Sequence, residues 1–248
     1  MKLYGFNNLT EALSFNIYDV CYAKTAREQK DYIDYIDEQY NAERLTGILT
    51  TLTDMIGATV LNIARQDYEP QGASVTLLIA EDSMLPRSQT QLAHLDKSHV
   101  TVHTYPEYHP ETCIATFRVD IDVATCGEIT PLSTLDYLIG SFDSDIITMD
   151  YRVRGFTRDV NGKKLFLDHP VTSIQDYINP EILRRYDAVD INVYAASLFH
   201  TRMMIKEPDL QNYLFKTDIY ELPPLTRLEI MNNLRREMIE IFNGRNIY

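Results

Sequence analysis

Basic residues are in short supply: 23 Lys and Arg stand against 36 Asp and Glu among 248 residues, leaving a formal net charge of -13 at pH 7. That balance opposes association with phosphate backbones or anionic lipid, so neither nucleic acid nor a membrane surface is an expected partner. Cysteine is also scarce. Cys21, Cys113 and Cys126 are odd in number and lack C-x-x-C spacing, which argues against a disulfide framework and fits a reducing, cytoplasmic compartment. No apolar run approaches the roughly 20 residues of a membrane span, and the first residues turn polar too soon for a secretory signal. A soluble protein is expected. The phosphate-cradling patterns G-x-G-x-x-G and G-x-x-x-x-G-K-[ST] are missing, as is the G-x-S-x-G elbow of many serine hydrolases. There is no internal repeat, low-complexity tract or clear linker.

What is present begins with 45% hydrophobic residues, ample for a packed core in one large domain or two small ones. Thr25-Ala26-Arg27-Glu28 has the form of a capping box, and Tyr32, Ile33, Ile36 and Tyr40 follow at helical spacing. Leu45, Ile48, Leu49, Leu52 and Ile56 continue that period up to Gly57, which predicts one long helix or two in series. Ser74 to Ala80 is a branched apolar run suited to a buried strand, and 82–96 reads as a loop. From Ser98 to Tyr105, Val100 and Val102 point to one face while His99, Thr101 and His103 point to the other. Phe117, Val119, Ile121 and Val123 alternate with polar residues in a half-buried strand that ends at Thr125-Cys126-Gly127. Pro131 opens a helix that buries Leu132, Leu135, Leu138, Ile139 and Phe142. A strand from Asp145 to about Gly155, a hairpin around Asn161-Gly162, a strand over Val189–Tyr194 and a helix opening at Thr226-Arg227-Leu228-Glu229 and stopping near Gly244 complete the reading. This order favours an α+β fold: a mainly antiparallel sheet with helices on one face. The other face must be covered too, giving an αββα sandwich completed within the chain or by dimerisation.

Chemistry concentrates at residues 94–107, where His94, His99 and His103 surround Ser98. Three readings stand side by side. With His109, Cys113 and Cys126 the histidines invite a zinc site, although the spacing is looser than structural zinc sites use. They also suit partly buried, hydrogen-bonded strand positions, or acid-base groups beside the serine.

The chain resembles the S-adenosylmethionine decarboxylase proenzymes of the longer bacterial class. The resemblance rests on Phe6-Asn7-Asn8-Leu9-Thr10, the run Arg65 to Ser74, Lys97-Ser98-His99, His103-Thr104-Tyr105-Pro106-Glu107, Thr125-Cys126-Gly127 and the run Asp150 to Arg158. It implies a single domain over residues 1–248 that cuts itself. Ser98 attacks the Lys97 carbonyl, the peptide becomes an ester, and elimination leaves a β chain of 1–97 and an α chain of 98–248 that begins with a pyruvoyl group. By the same resemblance, His103 takes the Cα proton of Ser98, and Ser74 assists by hydrogen bonding as the ester forms. Cys126 protonates the substrate α-carbon, Glu107 holds the ribose hydroxyls, and Tyr68 stacks on adenine. The pyruvoyl carbonyl supplies, through a Schiff base with the substrate amine, the electron sink that no ordinary side chain offers. The implied product is the aminopropyl donor of spermidine synthesis. Lys97 replaces the glutamate of shorter members, and with the 82–96 insertion it fits a magnesium-stimulated class whose ion ligands the sequence does not identify. Paired β and α chains in a homo-oligomer are implied as well. Two other functions fit less of the pattern: a pyruvoyl-dependent arginine or ornithine decarboxylase, and a non-catalytic regulatory subunit.

Overall fold

Alternating strands dominate the computed structural model, which describes residues 3–4, 7–81, 98–126 and 129–247. Lys97, His94, Gly127 and the expected 82–96 loop lie outside the described residues. Strands β1 (Thr10–Tyr22), β2 (Ala58–Asp67), β3 (Ala73–Glu81), β4 (His99–His109), β5 (Ile114–Cys126), β6 (Ile146–Arg154), β9 (Tyr186–Asp190) and β10 (Leu198–Ile205) form one sheet in the order β2-β3-β4-β5-β1-β6-β10-β9. Every pairing in it is antiparallel. β7 (Thr157–Arg158) and β8 (Lys164–Leu165) make a small separate ribbon. The ribbon closes around Asn161-Gly162, where Asp159 Oδ1 accepts from the backbone N–H groups of Asn161 and Lys163 at 2.9 Å.

The two sheet faces have different fates because side chains alternate along each strand. Leu13, Phe15 and Ile17 of β1, Val100 and Val102 of β4, and Ile121 and Val123 of β5 are buried. They pack beneath α1 (Ala26–Gln39), α2 (Ala42–Met55) and α3 (Leu135–Ser141), whose apolar stripes join the same core. The sequence allowed one helix or two over this stretch, and the structure has two, broken where Asn41 caps the second through its side chain. The capping box is present: Thr25 Oγ1 accepts from Glu28 N at 3.2 Å, and Glu28 Oε2 accepts from Thr25 N at 2.8 Å.

The opposite face carries Ser14 and Asn16 of β1, His99, Thr101 and His103 of β4, and Asp120 and Asp122 of β5. Most of these are only partly buried. One end of this face is covered. The last helix, α4 (Pro224–Asn243), buries Ile230, Leu234 and Met238 against Val20 and Ile146, so helices lie on both faces. α4 begins at Pro224 without a side-chain cap, ahead of the Thr226–Glu229 box, because a proline in the first turn has no N–H to satisfy. Its stop is the expected one, Gly244 at φ 64°. The strand expected over Val189–Tyr194 lies earlier, as β9. Among the described residues the chain builds one large sheet, so no second sheet of its own closes a sandwich, and no helix is long and apolar enough to cross a membrane.

Candidate active site

Two groups of predicted residues share the open face. The first lies at one end of the central strands. Ser98, buried beside the start of β4, accepts from Ile79 N at 3.2 Å through its carbonyl, which fixes it to β3. Its Oγ lies 3.2 Å from Cys126 Sγ at the last residue of β5. Serine and thiol are 28 residues apart in sequence and in contact here because β4 and β5 are antiparallel neighbours.

The second group sits farther along the same strands. His103 pairs in register with Ser74 of β3 on one side and Asp120 of β5 on the other. Directly opposed residues on one face have Cβ atoms about 5 Å apart, so all three side chains meet there. The Tyr68 hydroxyl reaches to 3.4 Å from His103 Nδ1. Tyr68 is steered there by the loop before β3. Tyr68 N donates to Gly72 O at 2.7 Å, and Gly72 N donates to Asp37 Oδ1 at 2.9 Å. Gly72 adopts φ +90°, and a Cβ there would come 2.5 Å from the Thr104 carbonyl oxygen, so only glycine lets this loop press on β4. Tyr105 stacks near the His103 ring at 6.3 Å, and the Arg118 guanidinium covers Tyr105 at 4.2 Å. Arg118 also pairs with Asp120 at 3.3 Å. Burial pushes the Asp120 carboxyl up, while Arg118 and, more weakly, His103 pull it down. Glu107 follows on the same face, exposed to solvent.

Asp120, the partner of His103, stands six steps before Cys126 on β5, which at about 3.3 Å per step is roughly 20 Å. Within one chain, then, Ser98 meets Cys126, and His103 meets Ser74, Tyr68 and Asp120. The two groups do not meet. In the sequence Asp120 is one of the polar residues that alternate along this strand, with nothing to single it out. The signal that could have found it is the alternation that placed His103, since antiparallel neighbours two strands wide bring matching faces together.

The zinc reading finds no support among the described residues. Among the described residues, the one group of three possible metal ligands within mutual reach is Glu11, Asp168 and His169; His99, His103, His109, Cys113 and Cys126 do not converge. Cys113 lies at the turn into β5 with φ 55°, and Cys21 is buried, its thiol pushed up by desolvation. A cavity of about 1000 Å³ lined by Asp19, Tyr32, Asp145 and Tyr213 lies at the other end of β1 from Cys126 and is not part of this site.

Glu11, Asp168 and His169 also bear on the magnesium expectation. Two carboxylates suit Mg²⁺, but it favours an all-oxygen octahedron, and an imidazole in the set fits it poorly.

The sheet, with a serine against a thiol at one strand end and a histidine group on the same face, defines an α+β enzyme. Comparison with known proteins makes the class particular. The sequence profile described as S-adenosylmethionine decarboxylase matches residues 30–155. The S-adenosylmethionine decarboxylase proenzyme of Clostridium beijerinckii is 69% identical, over 100% of this chain and 97% of its own length. That of Alkaliphilus oremlandii is 66% identical over the same shares, and that of Alkalilimnicola ehrlichii 60% identical over 100% and 95%. The chain belongs to the S-adenosylmethionine decarboxylase family, and it is a carboxy-lyase. The crystal structure of the adenosylmethionine decarboxylase from Aquifex aeolicus VF5 aligns over 67% of this chain and 99% of its own at 18% identity. The TM-score of that alignment is 0.36.

Proposed function

We propose that this chain cuts itself between Lys97 and Ser98 and then decarboxylates S-adenosylmethionine, using a pyruvoyl group made from Ser98. The observation that carries the reading is the 3.2 Å contact between Ser98 Oγ and Cys126 Sγ. A decarboxylated α-carbon must regain a proton, and the donor has to stand beside the atom that anchors the substrate. Cys126 stands there. The pyruvoyl carbonyl supplies the electron sink for loss of carbon dioxide. A positioned thiol is a group that can give a proton to such a carbon.

His103 is the base that takes the Cα proton of Ser98 during the cut, with Tyr68 and Asp120 orienting its ring and Ser74 beside it. Glu107 holds the ribose. His103 stands five residues along the chain from Ser98, roughly 17 Å away at about 3.3 Å per residue, and a second copy resolves the distance. A two-fold axis that stacks one open face on another and runs across the strands would match each surface with itself and carry the histidine group of one chain to the Ser98 end of its partner. The half-buried polar rows on that face, such as Asp150 with His200 at 2.7 Å, are groups such a stack would cover.

Intact mass of the purified protein tests the cut: two chains, ending at Lys97 and starting at a pyruvoyl in place of Ser98, are expected. A single uncut chain with full activity would end this reading. Release of carbon dioxide from carboxyl-labelled S-adenosylmethionine, with none from arginine or ornithine, tests the substrate.

A further inference from the structure

On the open face, the decarboxylase reading gives the substrate an anchor at Ser98 and a proton donor at Cys126, but no partner for the carboxylate that departs. The sheet register supplies one. Thr10 of β1 pairs with Cys126 of β5 on one side and with Arg154 of β6 on the other. Directly opposed residues in an antiparallel ladder project to the same face, so Cys126, Thr10 and Arg154 form one row. With strands about 4.8 Å apart, the backbone of Arg154 stands roughly 10 Å from that of Cys126, a gap that an extended arginine side chain can bridge. Thr10, between them, is short. The next row runs Ala124, Ala12, Arg152, so alanines floor the space beside the thiol and a second arginine closes its far side.

Charge singles these two arginines out. Arg152 and Arg154 are exposed, and neither side chain has an ion-pair or hydrogen-bond partner among the described residues. Arg118, Arg184 and Arg236, by contrast, pair with Asp120, Glu181 and Glu240. Two like charges side by side on one strand face repel, and here they do so in a chain whose 36 acidic residues could have neutralised both. An anion bound between them and Cys126 offsets that repulsion. Farther along the same face the sign reverses, at Asp150, Asp122 and Asp120. S-adenosylmethionine has its charges in the same layout: an anionic carboxylate on the α-carbon and a cationic sulfonium farther along the side chain.

We propose that Arg154 binds the substrate carboxylate, with Arg152 reinforcing the positive field behind it, a step that rests on the decarboxylase reading above. A guanidinium presents paired N–H donors that match the two oxygens of a carboxylate, which a lysine cannot reproduce. Carbon dioxide is neutral, so the charge-assisted bond is lost as the carboxylate departs and nothing retains the product. Arg154 therefore acts on recognition. An interaction made with the bound substrate and weakened on the way to the transition state lowers KM without raising kcat.

The test compares the full-length parent with Arg154→Ala and Arg154→Lys, using carbon dioxide release from S-adenosylmethionine and inhibition by its methyl ester, which lacks the anionic group. Arg154 is exposed, so both variants should fold and be cut like the parent, as intact mass checks. Arg154→Ala should raise KM by about 10-fold or more while kcat does not fall, the loss expected of one charge-assisted hydrogen bond. Arg154→Lys, which keeps the charge but not the fork, should lie between. Inhibition by the methyl ester should be the same in all three proteins. An unchanged KM, an equal loss of affinity for acid and ester, or a change of oligomeric state in native mass spectra with KM intact would overturn the proposal. A parent that releases no carbon dioxide would instead bring down the decarboxylase reading, and this assignment with it.

Discussion

At Ser98 the sequence and the structure meet most directly. The residue was prominent because histidines crowd it, yet its nearest functional neighbour in the structure is a thiol. No spacing rule reveals that pair, since it depends on which strands lie side by side. The two residues should separate cleanly by mutation. Ser98→Ala should leave one uncut chain in a denaturing mass spectrum and no decarboxylation. Cys126→Ala should still cut, but turnover should fall by about 100-fold or more, the usual contribution of a positioned proton donor. Loss of the cut in Cys126→Ala would move the thiol from proton donor to processing. Tyr68 is a finer case. The resemblance gives its ring to adenine, while the structure gives its hydroxyl to His103. Tyr68→Phe separates the two roles: the orienting role predicts slower processing with KM little changed, whereas a rise in KM alone would favour stacking.

Among the elements, helices were the most legible. The capping box of α1, the 3–4 spacing of α2 and Pro131 ahead of α3 are local signals, and local geometry obeys them. Strands β3, β4 and β5 were legible where apolar and polar residues alternate. β1 was not, although it is the most central, because Glu11 occupies a core position and breaks the pattern. β2 was missed for the opposite reason: as an edge strand, most of its residues are exposed and carry no burial period. The far end of β1 holds a testable device. Asp145 accepts from Val20 N at 2.8 Å and from Tyr213 Oη at 2.5 Å, beside the buried carboxyl of Asp19. Burial pushes Asp145 up to about 6 and Asp19 well above the usual carboxylate range. A carboxyl whose folded pKa is raised binds its proton more tightly in the folded state. Its stabilising contribution is therefore complete below about pH 4 and lost as pH rises through about 6. The loss is on the order of 2–3 kcal/mol. Asp19→Asn should relieve the repulsion, raising Tm at pH 7.5 relative to the parent and converging with it near pH 4. A Tm difference independent of pH would sink this account.

For the whole molecule, the proposed two-chain assembly would account for both the open polar face and the roughly 20 Å gap between the two groups. If each site draws on two chains, damage to different halves should be complementary. Co-expressed Ser98→Ala and His103→Ala chains should recover cleavage and activity that neither has alone, because each mixed pair keeps one undamaged site. Failure to recover either, with mixed pairs shown by native mass spectrometry, would return both groups to a single chain. Neither the alternation of β4 nor its histidines discloses the separation of the two groups. Distance between sites is a property of the sheet order, which emerges only when β3 through β5 and β1 are assembled.

That sheet order also bears on what would become of the pieces if the backbone is severed between Lys97 and Ser98 as proposed. The amino-terminal piece would own β1, β2 and β3, and the carboxy-terminal piece the remaining strands, so ownership changes hands three times across the order β2-β3-β4-β5-β1-β6-β10-β9. β1 is enclosed, all thirteen of its residues paired with β5 and most of them also with β6. The fragments are interleaved, like fingers of two clasped hands. They cannot part by sliding apart at an interface; separation requires tearing β1 from the middle of the sheet. The two pieces should therefore co-elute at any dilution and come apart only where the protein itself unfolds.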